Sequence, residues 1–452
     1  METRVRDTTS GGFVKLLLAM AIPLMLGSMC QNLYVIADTA IVGRFVGVNA
    51  LAAVGNTGWF TWPVVCIPYG LTQAGAILGA QRFGQKDMHG LRSTVYNTIL
   101  VTVLCSAVLT LVLQLAAPAL LRLVNTSEVI YADSLLYLRI NYAGILVVGL
   151  YNSFNAILRC LGNTRIPFIA MIIASVVNIV LDLVFVIVFH WGVAGAAIAT
   201  VIAQVLSAVI CGIALLRISL LRLEKGERWH SWKLCGRLCR MGFPLSAADL
   251  IIGVGGVVLQ NKVNSFSVSF VAGYSATNRL YGLLETSGIA LGSAFSTFIG
   301  QNYGAEKYGR IRTCTKRALI VSLCIALVIL TAVAVFREPI LSLFVDVNTA
   351  DGNEVMAYGA EYLLIMCIFL PTLYLLHIFR AGVNALGNTT VPLLSGIMEF
   401  IMRVGTVLGF ASLFGYKTIF YAEVIAWCGA AALLCVCYLL KLRKLPKTDV
   451  TI

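Results

Sequence analysis

The sequence predicts an all-α membrane protein: twelve transmembrane helices in two six-helix bundles related by a pseudo-two-fold axis along the membrane normal. Three observations predict it. Of 452 residues, 59% are hydrophobic and only 12% charged, against about 25% charged in a soluble domain. The apolar residues gather into twelve runs, near 14–43, 50–80, 95–119, 131–159, 166–189 and 192–216, then 244–272, 279–300, 315–336, 355–378, 391–412 and 418–440. Each approaches or exceeds the roughly 20 residues that cross a bilayer. The chain also repeats itself. The segment from Phe154 to Pro167 returns nearly half a chain later from Phe379 to Pro392, with Phe, Ala, Leu-Gly-Asn-Thr and Pro in register. Gln81-Arg82-Phe83-Gly84 likewise returns as Gln301-Asn302-Tyr303-Gly304. Matches at Asn, Gln, Gly and Pro are not a by-product of apolar composition. Because the repeat spans an even number of runs, both halves have the same orientation, so the repeat is parallel rather than inverted.

Taken in order, the runs differ in what they carry. The first has Pro23, which removes a backbone hydrogen bond and should kink or soften the helix. Beyond it come Gln31, Tyr34 and Asp38 at i, i+3, i+7, one stripe of a helix. The second run ends in the repeated Gln-x-x-Gly turn, and the third is plain. The fourth closes on Asn155 and Arg159. The fifth repeats the stripe spacing with Ser175, Asn178 and Asp182, and the sixth carries Thr200, Gln204 and Ser207. Residues 217–240 link the halves. Their alternation of apolar side chains such as Leu221, Trp229 and Leu238 with Arg222, Arg237 and Arg240 suits an amphipathic helix at the membrane surface. The organisation is therefore 1–216 as an N-terminal bundle carrying the ion-coupling groups, 217–240 as a linker, and 241–452 as a C-terminal bundle. The second half holds Asp249, Glu285, Glu399, Arg403 and Glu423 within its runs, and Glu399 and Arg403 at i, i+4 are expected to pair.

Charge sets the expected topology. Most of the 33 Lys and Arg sit in the N-terminal tail, the central linker, the C-terminal tail and the loops that fall on the same side. The opposite loops collect acids such as Glu128, Asp133, Glu338 and Glu354. By the positive-inside rule both termini and the linker are cytoplasmic, in a multi-pass cell-membrane protein. The formal charge of +13 then reads as topology and contact with lipid headgroups, not nucleic acid, since the cations are dispersed among short loops. The first run is too long for a cleaved signal peptide and lacks a small-residue cleavage site. The thirteen cysteines lie mostly within runs. Cys235 and Cys239 near His230 lack a fourth ligand for zinc, and no cofactor is implied.

With no sizeable loop to hold a soluble domain, the chemistry lies within or across the bilayer. Ionisable groups in apolar spans are costly and mark function. Out of water a carboxylate holds its proton toward neutral pH, so Asp38 and Asp182 could load and release H⁺. Ionised, and beside the Asn178 oxygen, they could instead hold Na⁺, a hard cation that takes oxygen ligands. The bland alternative is a hydrogen bond stapling spans 1 and 5. Asp249 and Glu285 could line a cavity and attract a cationic solute. Tyr34, Tyr137 and Met171 are either packing or an adaptable wall for flat cations. An embedded enzyme would need a nucleophile–base pair or a metal cluster, and the four scattered histidines supply neither.

Pro23, Gln31-x-x-Tyr34-x-x-x-Asp38-Thr39, Val42-Gly43 and Ala50-Leu51-Ala52-Ala53-Val54-Gly55 resemble the start of the multidrug and toxic compound extrusion family. Asn178-Ile179-Val180-Leu181-Asp182, the Gly192–Ala197 segment and the twice-occurring Leu-Gly-Asn-Thr-x-x-Pro extend the resemblance over essentially the whole chain, nearest to the prokaryotic DinF-like branch. The resemblance implies an antiporter that expels amphipathic, mainly cationic small molecules by alternating access in exchange for H⁺ or Na⁺. It maps the coupling acids onto Asp38 and Asp182. Their neighbours map onto Gln31, Tyr34, Tyr137, Asn155, Met171, Asn178 and Thr200. Another branch has a Glu on span 7 where this chain has Ile252, so that branch's second-half site does not carry over. A lipid or lipid-linked saccharide flippase of the same superfamily is the competing reading; such a cavity wants several basic residues, and here embedded cations are few. A monomer is the simplest assembly.

Overall fold

The computed structural model describes residues 5–224, 227, 229–342 and 351–446, and among them there is no β-strand. Thirteen α-helices follow one another: α1 (Phe13–Phe45), α2 (Val48–Gly84), α3 (Met88–Leu123), α4 (Glu128–Cys160), α5 (Arg165–Leu183), α6 (Gly192–Leu216), α7 (Trp232–Val263), α8 (Val268–Gly304), α9 (Tyr308–Leu341), α10 (Gly352–Ile368), α11 (Leu370–Ala385), α12 (Thr390–Phe414) and α13 (Lys417–Lys444). Ten are long and apolar enough to cross a membrane, and α10 with α11, bent by 46° between them, makes an eleventh span. Helix α8 completes the expected twelve. Its 37 residues equal the length of α2, its counterpart in the first repeat, and polar residues such as Asn278, Arg279 and Glu285 lower its apolar character.

The chain forms two compact units. The first comprises Met1–Asp7 and Ile22–Ser246, and the second Thr8–Ala21 and Ala247–Ile452. In the first, α4 packs against α2, α3 and α6, and α5 lies along α6. In the second, α8 packs against α10 and α11, and α13 against α11 and α12. The second unit has the larger aromatic core, with Phe270, Tyr274, Tyr362, Tyr374, Phe420 and Tyr438 all buried.

The repeated motifs are turns with the same hydrogen bonds in both units. After α4, Gly162 takes φ +75 and Asn163 N–H donates to the Leu158 carbonyl at 2.9 Å. After α11, Gly387 takes φ +80 and Asn388 N–H donates to Val383 at 3.3 Å. Glycine ends each helix because only it adopts this left-handed conformation without strain. The Asn side chain then accepts from the first turn of the next helix, Asn163 from Ile166 N–H at 3.2 Å and Asn388 from Val391 N–H at 3.1 Å. Proline follows within that turn, where a missing N–H costs nothing. The Gln-x-x-Gly pair behaves alike, with Lys86 at φ 57 and Glu306 at φ 56.

Three expectations needed correction. The run read as 244–272 is α7, which starts earlier, at Trp232, and stops at Val263. Ser231 opens α7, its hydroxyl accepting from Leu234 N–H at 3.4 Å, and Ser267 opens α8 in the same way, accepting from Phe270 N–H at 3.3 Å. The surface helix read over 217–240 is accordingly absent among the described linker residues, of which 225, 226 and 228 are not part. Residues 219–221 form one 3₁₀ turn, and the rest of the helical periodicity belongs to α7. The run at 355–378 is broken at Phe369, because Pro371 in the first turn of α11 cannot continue the preceding helix. By contrast, α1 runs through Pro23 as one helix.

Candidate functional site

In the first unit the two polar stripes are in place. On α1, Gln31 is hydrogen-bonded to Tyr34, and Asp38 follows one turn later. On α5, Asn178 and Asp182 are fully buried, and Asp38 is 7% exposed. The helix changes pitch directly after Asp182: residues Val184–Val188 form a π-helical turn, a local widening that proteins tend to place at functional sites. The carboxylates of Asp38 and Asp182 lie close enough to act on each other electrostatically, and Tyr34 and Tyr137 lie within the field of both. Tyr137 is itself hydrogen-bonded to Asn141.

The polar atoms here are unsatisfied within the protein. Asp38 Oδ1, both oxygens of Asp182, and both Oδ1 and Nδ2 of Asn178 are buried without a hydrogen-bond partner among the described residues. Buried polar groups are ordinarily paired, and a lone buried carboxylate is costlier still. Four of these five atoms are oxygens, the donor set a proton or a small hard cation would use.

One turn from Asp38 along α1, and one turn from Asn178 but two from Asp182 along α5, is a cavity of about 340 Å³. Its wall draws Gln31 and Tyr34 from α1, Val65 and Tyr69 from α2, Val148, Tyr151 and Asn152 from α4, Met171 and Ala174 from α5, and Ala203, Gln204 and Ser207 from α6. None of these side chains is charged. Of the residues expected at the site, Gln31, Tyr34 and Met171 reach the wall. Asn155 lies one turn beyond Tyr151, its Oδ1 buried and unpartnered, and Thr200 lies one turn before Gln204. Tyr137 instead packs beside Ile41, Val42 and Val186. Tyr151 and Asn152 were missed, although Asn152, Asn155 and Arg159 share the i, i+3, i+7 spacing used on α1 and α5.

The second unit holds a separate group of ionisable residues. Glu399 and Arg403 do not pair with each other as expected. Glu399 pairs with Arg380 of α11, and Arg403 with Glu423 of α13 at 2.6 Å while donating to the Ile252 carbonyl at 3.0 Å. Both side chains are about 5% exposed, and partners on adjacent helices meet them in the bundle where an i+4 contact would run along the surface. Asp249 on α7 lies in the field of Arg380, Glu399 and His377. Glu285 on α8 lies 3.7 Å from His377. Of the residues weighed for zinc, Cys235 contacts Asn97 Oδ1 at 3.1 Å, and His230 lies between the rings of Trp229 and Trp232.

Comparison with known proteins follows the same outline. The sequence model of the MatE family matches twice, over residues 23–184 and 244–409. The chain is 27% identical over 414 residues to the probable multidrug resistance protein YpnP of Bacillus subtilis, covering 91% of this chain and 92% of that protein. It is 27% identical over 423 residues to the FAD transporter of Shewanella oneidensis, covering 89% and 88%. A solved structure described as the outward-facing conformation of a multidrug resistance MATE family transporter of the MOP superfamily superposes with a TM-score of 0.90. That match covers 99% of this chain and 100% of the other at 22% identity, and it speaks to fold alone.

Proposed function

The chain belongs to the MatE family of multi-pass membrane transporters, and on that footing we propose that it is a secondary-active efflux antiporter. It exports amphipathic, mainly cationic small molecules in exchange for H⁺ or Na⁺ by alternating access, in the cell membrane with both termini cytoplasmic. The observation that carries this reading is the buried Asp38–Asp182 pair, with Asp38 Oδ1 and both Asp182 oxygens unpartnered among the described residues, beside an uncharged, tyrosine-rich cavity that Tyr34, one turn from Asp38, helps to line.

The alternative role for these acids, a staple between α1 and α5, needs hydrogen bonds inside the protein. Asp182 has none on either oxygen among the described residues, which counts against it. A site that exchanges its occupant has the opposite need: acceptors that the fold leaves open. Asp38, Asp182 and the Asn178 amide oxygen supply them for a proton or for Na⁺, and Tyr34 belongs both to this group and to the cavity wall.

The wall supports a class of solute. Tyr34, Tyr69 and Tyr151 offer π faces to a flat cation, Met171 offers a polarisable, adaptable surface, and Gln31, Asn152, Gln204 and Ser207 offer hydrogen bonds without net charge. A lipid-linked pyrophosphate, or a dinucleotide such as the cargo of the FAD transporter relative, calls for cationic partners, which this wall lacks. Asp249 and Glu285 serve in this reading as solute-facing acids of the second unit. Efflux of a dye cation from vesicles, driven in turn by an imposed pH gradient and an imposed sodium gradient, tests the proposal. One gradient should drive export; if neither does, the antiport reading fails.

A further inference from the structure

The second unit contains four acids, Asp249, Glu285, Glu399 and Glu423, grouped with only two arginines. Arg380 is taken by Glu399 and Arg403 by Glu423. Among the described residues, the base nearest Glu285 and in the field of Asp249 is the imidazole of His377. Its Nε2 lies 3.7 Å from Glu285 Oε1, beyond hydrogen-bond reach, and has no hydrogen-bond partner among the described residues. The ring is 13% exposed and the Glu285 side chain 31%, so the acid is the more accessible of the two.

The fold holds that ring in place. A Cβ at Gly288 would lie 3.0 Å from His377 Cδ2, and one at Gly292 would lie 3.0 Å from the His377 carbonyl oxygen. Two glycines thus clear the face of α8 on which the imidazole rests. Tyr374, one turn earlier on α11, donates to the Leu284 carbonyl at 2.8 Å and ties α11 to α8 beside Glu285.

We propose that His377 sets when the second unit can hold a cationic solute: unprotonated, it leaves the Glu285 carboxylate free for the solute's positive group; protonated, it takes that carboxylate for itself. This rests on the reading of Glu285 as a solute-facing acid and adds the residue that competes with the solute. The proton enters on Nε2, the nitrogen facing Glu285, and the resulting ion pair displaces the solute cation. One positive charge replaces another, so the net charge of the buried group is unchanged by the exchange. The imidazole is suited to this because its class titrates within the physiological range.

Other groups on the packed helices act on the pair without replacing His377. Asp249 on α7 lies in the field of His377 and of Arg380 on α11. The charge of Arg380 is matched by Glu399 on α12. Glu423 on α13 and Tyr281 on α8 act on Glu285, with Glu423 matched by Arg403. Tyr374 on α11 is committed to Leu284, and Cys367 on α10 lies beyond it. Helix α9 has no charged residue between Arg317 and Arg337.

Equilibrium binding of tetraphenylphosphonium to the full-length protein, measured from about pH 8 to about pH 5.5, tests this across the range in which imidazoles titrate. Wild type should weaken severalfold as pH falls. His377→Gln, which cannot take a proton, should keep the high-pH affinity throughout, while Glu285→Gln should bind weakly at every pH. In the Glu285→Gln background, adding His377→Gln should change nothing. If His377→Gln keeps the full pH dependence of wild type, the inference is overturned and the solute-acid reading stands. If Glu285→Gln binds as wild type does, the solute-acid reading itself falls. Should His377→Gln not fold, His377→Asn makes the same comparison.

Discussion

Asp38 and Asp182 are buried carboxylates with oxygens unpartnered among the described residues, and their substitution gives the clearest reading of their role. Asparagine keeps the size of each side chain but cannot exchange a proton, and it holds a cation far less firmly. Asp38→Asn should reduce ion-driven dye efflux to the vesicle background while expression and thermal stability stay near wild type. Asp182→Asn should do the same. A variant at position 182 that still confers full drug resistance would return that residue to the rank of a structural staple. Stability should not fall in Asp182→Asn, because Asp182 makes no hydrogen bond among the described residues that its loss could break.

Glu227 behaves in the opposite way. Its carboxylate accepts from the backbone N–H of Glu224 at 3.0 Å and from Arg92 Nε at 2.9 Å, and Arg92 also reaches Glu224 at 2.8 Å. The Glu224 N–H first, and then the Arg92 guanidinium, hold the Glu227 carboxyl below the usual carboxylate range. A depressed folded-state pKa means the contribution is complete above the unfolded value, near about 4.3, and is lost as pH falls through the lower folded value. The linker should therefore stay clamped to α3 across neutral and mildly acidic pH. Glu227→Gln should release it at neutral pH, read as faster hydrogen exchange over 217–231; unchanged exchange would show that the ion pair holds nothing.

At the scale of elements, the duplicated Leu-Gly-Asn-Thr-x-x-Pro turns make a matched experiment. Forcing an L-residue into the left-handed conformation costs about 1–2 kcal/mol. Gly387→Ala should lose roughly that much. At Gly162 a Cβ would also come within 2.5 Å of the Arg6 carbonyl oxygen, whose own N–H donates to Leu161 at 2.9 Å. Gly162→Ala should therefore cost clearly more than Gly387→Ala, as measured by thermal unfolding in detergent. Equal losses would mean that the Arg6 contact yields freely. The same turns show why this part of the fold was legible. Their geometry is local, fixed by which residue can take positive φ and which side chain can cap the next helix, so sequence alone specified it twice. The break at Phe369 was legible in principle too, from Pro371, but the apolar run around it read as one span. The start of α7 was masked by basic residues that suit a surface helix equally well.

At the scale of the whole molecule, the proposed topology places the linker in the cytoplasm, on the distribution of Lys and Arg. Single cysteines placed in 217–224 of a background lacking accessible thiols should react with impermeant maleimide only in inside-out vesicles. Labelling of intact cells would reverse the assigned topology. On the proposed antiport and orientation, the driving ion should enter through the face opposite the linker, which sets the direction of the gradient to impose.

By itself, the sequence determined the class of the protein, its duplication, its turn chemistry and the polar stripes of α1 and α5. Each of these is written in composition, in spacing along one helix, or in a local motif. Only the tertiary structure decided which partners the buried charges take. Glu399 and Arg403, adjacent on one helix face, turned to Arg380 and Glu423 on different helices, and His377 came to rest against Glu285. Periodicity ranks neighbours on one helix, but in a bundle the nearest counter-charge comes from the helix packed alongside, and no spacing within a single element records it.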